Sequence, residues 1–146
     1  MQSVATHVTV KDIVRRGCEH AKNDAVSIGR HAWNSLPDGV IAAQQGDIYI
    51  WKLGSLPQDV VEVEPYHQLA PGQTLGSRHC LISLEGVRMY QKRQPGPLDG
   101  PYLWLEDGPA TITHPVHGDI VDIPQGAILH ITYQRLYADT VRRVMD

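Results

Sequence analysis

The sequence predicts an α+β, mainly β protein: one N-terminal amphipathic helix followed by a compact antiparallel β-barrel or sandwich of about eight short strands. Two observations carry this prediction. Apolar residues recur every three or four positions in the first quarter of the chain, and from residue 47 they follow the short, alternating runs typical of strands. Glycine and proline then punctuate these runs at close intervals. At 146 residues, the chain fits a single domain that buries its own core.

The helix is predicted over residues 11–36, after an N-terminal arm of residues 1–10. Thr9 and Asp12 suit its first turn, because a hydroxyl and a carboxylate satisfy exposed N–H groups there. Pro37 and Gly39 end it, since proline cannot continue the hydrogen-bond ladder. Its apolar stripe consists of small and medium side chains: Val14, Cys18, Ala21, Ala25, Ile28, Ala32 and Leu36. Such a stripe can pack on a sheet or pair with the same helix of another subunit, which predicts a homo-oligomer through the helix.

The β body is predicted over residues 45–137, and residues 138–146 are predicted to form a C-terminal turn or short helix. The strands are rich in β-branched and aromatic residues. Their predicted ranges are 47–53, 60–64, 78–84, 87–91, 102–105, 111–114, 119–123 and 127–137. Short strands with tight connections favour a barrel or sandwich over a parallel α/β sheet.

Composition restricts the class of protein. A net charge of −3 argues against a general polyanion binder. The two cysteines, Cys18 and Cys80, form no closely spaced pair, which indicates a reducing compartment and a cytoplasmic location. The first residues lack the charged and apolar pattern of a signal peptide, and no apolar run reaches about 18 residues, so no membrane span is expected.

The eight histidines are the compositional feature that points to function. Imidazole both binds metals and titrates near neutrality, so clustered histidines suit coordination or proton transfer. The predicted metal ligands are His79, His114 and His117, with a divalent metal ion as the candidate cofactor. Arg78 and Asp119 join them as ligand-binding residues. The competing interpretation is that histidines in a His-Pro-x-His turn simply cap a hairpin.

Two resemblances bear on the β body. Residues 118–130, a glycine-opened strand, a Pro-x-Gly turn and then His130, resemble the second cupin motif, although His130 falls one residue later than in that motif. Residues 44–146 resemble an uncharacterised family of small bacterial β-rich proteins, through the segments Gln45 to Ile48, Thr113 to Asp119 and Pro124 to Gly126. This second resemblance implies no activity, and it directs attention to His79, His114 and His117.

The favoured function is a small β-barrel binding module with a histidine-lined site for a metal ion or small polar ligand. An alternative is an RNA-associated accessory or assembly protein. Its basic residues would be Lys11, Arg15, Arg16, Arg142 and Arg143, and Tyr49, Trp51, Tyr90 or Trp104 would stack on bases.

A second alternative is a histidine acid–base phosphodiesterase, in which Arg78 stabilises a developing anion. No residue is assigned a catalytic role, and whether the protein is an enzyme stays open. A structural subunit is a further alternative, because a two-sided apolar strand at residues 48–51 can be covered by a neighbour.

Overall fold

The computed structural model describes residues 25–134, which form two β-sheets, one short α-helix and one 3₁₀ turn. In chain order the elements are β1 (Ala25–Ser27), α1 (Gly29–Ser35), β2 (Val40–Gln45), β3 (Ile48–Leu53), β4 (Val60–Val63), the 3₁₀ turn (Leu75–Ser77), β5 (Cys80–Leu81), β6 (Val87–Lys92), β7 (Asp99–Leu105), β8 (Ala110–Thr113), β9 (Asp119–Ile123) and β10 (Ile128–Tyr133).

The strands form a six-stranded sheet in the order β2-β3-β10-β7-β6-β4 and a four-stranded sheet in the order β1-β9-β8-β5. All neighbours in the larger sheet are antiparallel, whereas β1 pairs parallel with β9 in the smaller one. Among residues 25–134 neither sheet closes on itself, so the predicted barrel is wrong and the alternative of two sheets describes the fold.

The core joins the inward faces of both sheets. Ile50, Leu103 and Leu129 of the six-stranded sheet are fully buried in the same hydrophobic cluster as Ile112 and Ile120 of the four-stranded sheet. Alternation of buried and half-buried residues along the strands therefore leaves each sheet with one outer face, and each outer face carries different side chains.

The helix prediction is wrong in its extent. Residues 11–24 lie outside the described part of the chain, residues 25–27 form β1, and the helix occupies only Gly29–Ser35. Pairing of β1 with β9 overrides the helical periodicity, because a parallel partner satisfies backbone groups that sequence spacing does not consider. The helix nevertheless ends just before Pro37, as expected, and buries Ala32 and Trp33.

The predicted strands agree with the observed ones more closely than the predicted helix does, with two exceptions. The segment 119–123 matches β9, and six others overlap observed strands closely, but the predicted 78–84 strand is reduced to Cys80–Leu81. Strand β2 was not predicted, since Ala42, Ala43 and two glutamines favour strands poorly and a bulge after Ile41 breaks the alternation.

Parts of the predicted layout lie outside residues 25–134, namely the arm at 1–10, the first part of the helix at 11–24, the end of the last predicted strand at 135–137 and the C-terminal segment at 138–146. The division into one domain stays a prediction. Within the described part of the chain, no helix is long and apolar enough to cross a membrane.

Candidate functional site

A fully buried polar cluster connects the two sheets. Gln45 ends β2, Asp47 begins the return to β3, and His79 precedes β5; all three side chains are 0% exposed. The His79 Nδ1 lies 2.9 Å from Gln45 Oε1, and its Nε2 lies 2.9 Å from Asp47 Oδ1. The imidazole is thus held at both nitrogens, as a buried polar ring must be.

The hydrogen bonds indicate where the protons lie. The Gln45 side-chain amide donates to the carbonyls of Ile112 (3.1 Å) and Gly118 (2.7 Å), which turns its oxygen toward His79. That oxygen only accepts, so His79 Nδ1 carries a proton. With Nε2 also donating to the Asp47 carboxylate, we infer a buried imidazolium–carboxylate pair.

His114 is held in the neutral form by the loop that follows it. The backbone N–H groups of Val116 and His117 both donate to its Nδ1 at 3.1 Å, which requires a lone pair on that nitrogen. Its Nε2–H then donates to the Gly76 carbonyl at 3.0 Å. One histidine therefore ties the 114–118 turn to the 3₁₀ segment.

The three histidines named by the sequence lie side by side. The ring centroids of His79 and His114 are 4.3 Å apart, and those of His114 and His117 are 4.6 Å apart, with interplanar tilts of 40° and 35°. The rings form a column from the fully buried His79 to the half-buried His117. The structure thus brings together residues separated by up to 38 positions.

Beside this column the outer face of the four-stranded sheet contains a depression of about 440 Å³. It is lined by Leu75, Arg78, Cys80, Thr113, His114, Pro115 and Asp119. Neighbouring strands supply its floor, because Cys80 and Thr113 are directly paired in β5 and β8. Three of the five predicted ligand-binding residues, Arg78, His114 and Asp119, line it; His79 lies behind His114.

The charges of the depression are those of Arg78 and Asp119. Arg78 is exposed, and within residues 25–134 its guanidinium forms no hydrogen bond or ion pair. Burial raises the pKa of the Cys80 thiol, against the opposing effect of Arg78, so this side chain is a neutral thiol at pH 7. The site offers an accessible cation, a carboxylate and no thiolate.

The hydrogen bonds of the histidine column oppose metal binding at two of its three rings. Both ring nitrogens of His79 and of His114 already have hydrogen-bond partners, and a metal would have to displace them. Among residues 25–134, no group of three or more His, Cys, Asp or Glu side chains is arranged to hold a metal. Metal binding at His79, His114 and His117 stays a prediction.

His130, the residue highlighted by the cupin resemblance, lies apart from this column. It projects from the outer face of the six-stranded sheet and stacks on Tyr102, with ring centroids 3.8 Å apart and planes 4° apart. Burial lowers the pKa of His130 to about 4, against the opposing charge of Asp99. It is therefore a neutral ring at pH 7.

The basic residues predicted to contact RNA, namely Lys11, Arg15, Arg16, Arg142 and Arg143, lie outside the described residues. Sequence reasoning missed the roles of Gln45 and Asp47, which entered only through the segment from Gln45 to Ile48 that resembles the uncharacterised family. A signal was present, since two polar side chains flank a glycine between two apolar strands, but nothing in the sequence indicates that they point inward.

The comparisons with known proteins concern the same region. A family profile described as a domain of unknown function, DUF8820, matches residues 44–133, and the chain belongs to this family. The expected membership of an uncharacterised family is thereby confirmed, whereas the bacterial source and the cupin resemblance stay predictions. No curated protein and no solved structure matches the chain.

Proposed function

We propose that this DUF8820 protein is a binding module that holds a small polar ligand in the depression lined by Arg78, His114 and Asp119. The observation that carries the proposal is the convergence of these three side chains on one depression of about 440 Å³: Arg78 comes from the 3₁₀ turn–β5 junction, and His114 and Asp119 come from the two ends of the β8–β9 connection. A solvent-open depression of this size can hold part of a small molecule, and a few convergent polar groups suit its orientation.

The charges suggest the chemistry of the ligand. Arg78 has an accessible guanidinium with no ion pair inside the described chain. The N–H donors of a guanidinium can form two parallel hydrogen bonds to a carboxylate or phosphate. Asp119 can accept hydrogen bonds from a donor at the other side of the same depression. The ligand that fits both is a small molecule with an anionic end and an amino or hydroxyl donor.

The buried histidines support this site as its scaffold. His79 is locked between Gln45 and Asp47, and it backs the ring of His114 at 4.3 Å. His114 is only 3% exposed, its nitrogens are engaged with backbone groups, and its ring lies between those of His79 and His117, so it forms part of the wall beside Arg78 and Asp119. A rigid wall of this kind lowers the entropy that binding costs.

A thermal-shift series on the full chain tests the proposal. The probes are acetate and inorganic phosphate as anions, and glycine and β-alanine as zwitterions. A probe at about ten times its Kd stabilises by roughly 1.4 kcal/mol, which raises Tm by about 5 °C for a chain of this size. A zwitterion should raise Tm more than acetate does, because it also reaches Asp119.

Substitutions locate the effect. Arg78→Gln should abolish the response to all four probes, whereas Asp119→Asn should remove only the additional response to the zwitterions. Arg93→Gln is the matched control, since Arg93 is an exposed arginine that directly follows β6 of the other sheet. Equal rises in Tm for the Arg78→Gln and Arg93→Gln variants would mean that the probes stabilise the protein because they are excluded from its surface, and the proposal would fail.

The metal prediction is examined in the same assay with zinc and nickel. A rise in Tm that disappears in His117→Leu would support a metal at the histidine column, because His117 is the half-buried member. Unchanged Tm values would leave the polar-ligand proposal as it stands and end the metal prediction.

The two other functions keep weaker support. A phosphodiesterase needs a histidine nitrogen that can take a proton from a substrate, and those of His79 and His114 are engaged internally. RNA association stays a prediction, with one point in its favour: Tyr49, Trp51, Tyr90 and Trp104 share one sheet face.

A further inference from the structure

The outer face of the six-stranded sheet carries an unusual concentration of aromatic side chains. The strand register places His130 opposite Trp51 on one side and Tyr102 on the other, while Tyr90 lies opposite Tyr102. We call this surface the aromatic face. It consists of Ile41, which lies opposite Trp51, and the five aromatic residues Tyr49, Trp51, Tyr90, Tyr102 and Trp104. Ile41 is 39% exposed, and Tyr49, Trp51, Tyr90 and Trp104 are partly exposed.

Contacts within the face hold several of its rings in place. The Trp51 indole N–H donates to Thr132 Oγ1 at 2.8 Å, and Tyr102 stacks on His130. The Arg88 guanidinium lies over the Tyr90 and Trp104 rings, 5.9 and 5.3 Å from their centroids. Side chains that are already ordered lose little entropy on binding a partner.

The charges of this face are already paired within it. Arg88 donates to the Glu62 carboxylate at 2.6 and 2.9 Å, and Lys92 lies 3.3 Å from the Asp99 carboxylate. A protein that binds nucleic acid gains most of its affinity from lysine and arginine side chains that are free to neutralise phosphates. Among the described residues, this face does not offer such unpaired cations. Tryptophan, tyrosine and arginine within a rim of paired charges are instead the composition of protein–protein interfaces.

We propose that the aromatic face binds a second copy of this chain as a face-to-face dimer. The face has two complementary sides: Ile41 and Trp51 lie on β2 and β3, whereas Arg88 lies on β6, three strands from Trp51. A two-fold axis along the strands would set Ile41 and Trp51 of each copy against Arg88, Tyr90 and Trp104 of the other. The same apolar and cation–π contacts would then form twice.

The area agrees with this occupant. Six strands about 4.8 Å apart and about 20 Å long give a face of roughly 500 Å² per copy. Two copies would bury at most about 1,000 Å², which is the lower limit for a specific interface and implies a dimer that dissociates on dilution. This surface is separate from the helix predicted to mediate self-association.

Sedimentation equilibrium on the full chain, from about 1 to 500 μM, tests the proposal. The expected result is a monomer–dimer equilibrium that Ile41→Glu weakens at least tenfold in Kd. Ile82→Glu is the matched control, because Ile82 is 62% exposed near β5, in the other sheet, and should leave Kd unchanged. A second variant, Trp104→Ala, should also weaken the dimer, and thermal melts show whether each variant is folded.

Three results would overturn the proposal. The chain could remain a monomer at 500 μM, or it could form a dimer that Ile41→Glu does not affect. Alternatively, the monomer could bind a short single-stranded RNA with quenching of tryptophan fluorescence that Ile41→Glu abolishes, which would assign the face to nucleic acid.

Discussion

Replacing His79 tests the buried cluster on which the candidate site is built. His79→Leu introduces an apolar side chain of similar volume. It leaves the Asp47 carboxylate and the Gln45 oxygen without the imidazole that now pairs with them. Removing one partner of a buried ion pair costs about 3–5 kcal/mol, because a buried charge stays uncompensated. With 0% exposure at both residues, solvent screening does not reduce this cost.

The expected loss is a large share of the stability of a domain, which is typically about 5–15 kcal/mol. In urea unfolding followed by circular dichroism, the midpoint should fall by about 2 M with little change in slope. The corresponding fall in Tm is about 10–20 °C. His117→Leu is the control, and it should cost about 1 kcal/mol or less, since its ring is half-buried at the end of the column.

A double-mutant cycle separates the ion pair from general packing. In His79→Leu/Asp47→Leu neither charge remains, so the double variant should lose clearly less stability than the two single losses added together. A His79→Leu loss below about 1 kcal/mol, or strict additivity in the cycle, would refute the inferred buried pair.

Two further predictions concern other parts of the chain. His130 is neutral in the folded state because burial lowers its pKa to about 4, whereas the unfolded histidine titrates near 6.5. As pH falls from about 6.5 to 4, the unfolded state binds the extra proton and the protein loses up to about 3 kcal/mol; His130→Phe should reduce this loss, and identical pH profiles would contradict it. Gly86→Ala should destabilise by more than 2 kcal/mol, since φ is +76° and the new Cβ would overlap the Asp107 carbonyl. Gly108→Ala, with φ +100° and open space, should cost only about 1 kcal/mol, so equal losses would show that the close approach is unimportant.

The two outer faces of the molecule have different proposed roles. The four-stranded sheet carries the depression with Arg78 and Asp119, and the six-stranded sheet carries the aromatic face. Since the proposed ligand site and dimer surface lie on different sheets, Arg78→Gln and Ile41→Glu should each change one measurement and leave the other as in the parent chain.

Strand parity was the most useful information in the sequence for the candidate site. Alternation in the predicted 78–84 strand separates His79 and Leu81 from Cys80 and Ile82, but the apolar side, which favours burial of Cys80, is the outer one: the structure buries His79 and Leu81, whereas Cys80 is half-buried and Ile82 is 62% exposed. The same alternation separated Leu129, Ile131 and Tyr133 from His130 and Thr132 in β10. Parity follows from local backbone geometry, so sequence suffices to predict it.

The closure of the sheet could not be predicted in this way. A barrel and a two-sheet sandwich use the same short alternating strands, and the choice depends on which edges pair. Likewise, the helical spacing of residues 25–36 was overridden at β1 by a partner almost 100 positions away, in β9. Pairings between strands so far apart in sequence cannot be predicted from the local pattern of residues around either strand.

The sequence by itself determined that the chain is mainly β, where most strands lie, and that His79, His114 and His117 are the residues to follow. These results rest on local periodicity and residue chemistry. Only the tertiary structure decided that Gln45 and Asp47 hold His79, that two backbone N–H groups keep His114 neutral, and that the aromatic residues share one face. Those facts depend on contacts between distant strands, because a side chain's protonation and partners are set by the groups that the fold brings within about 3 Å of it.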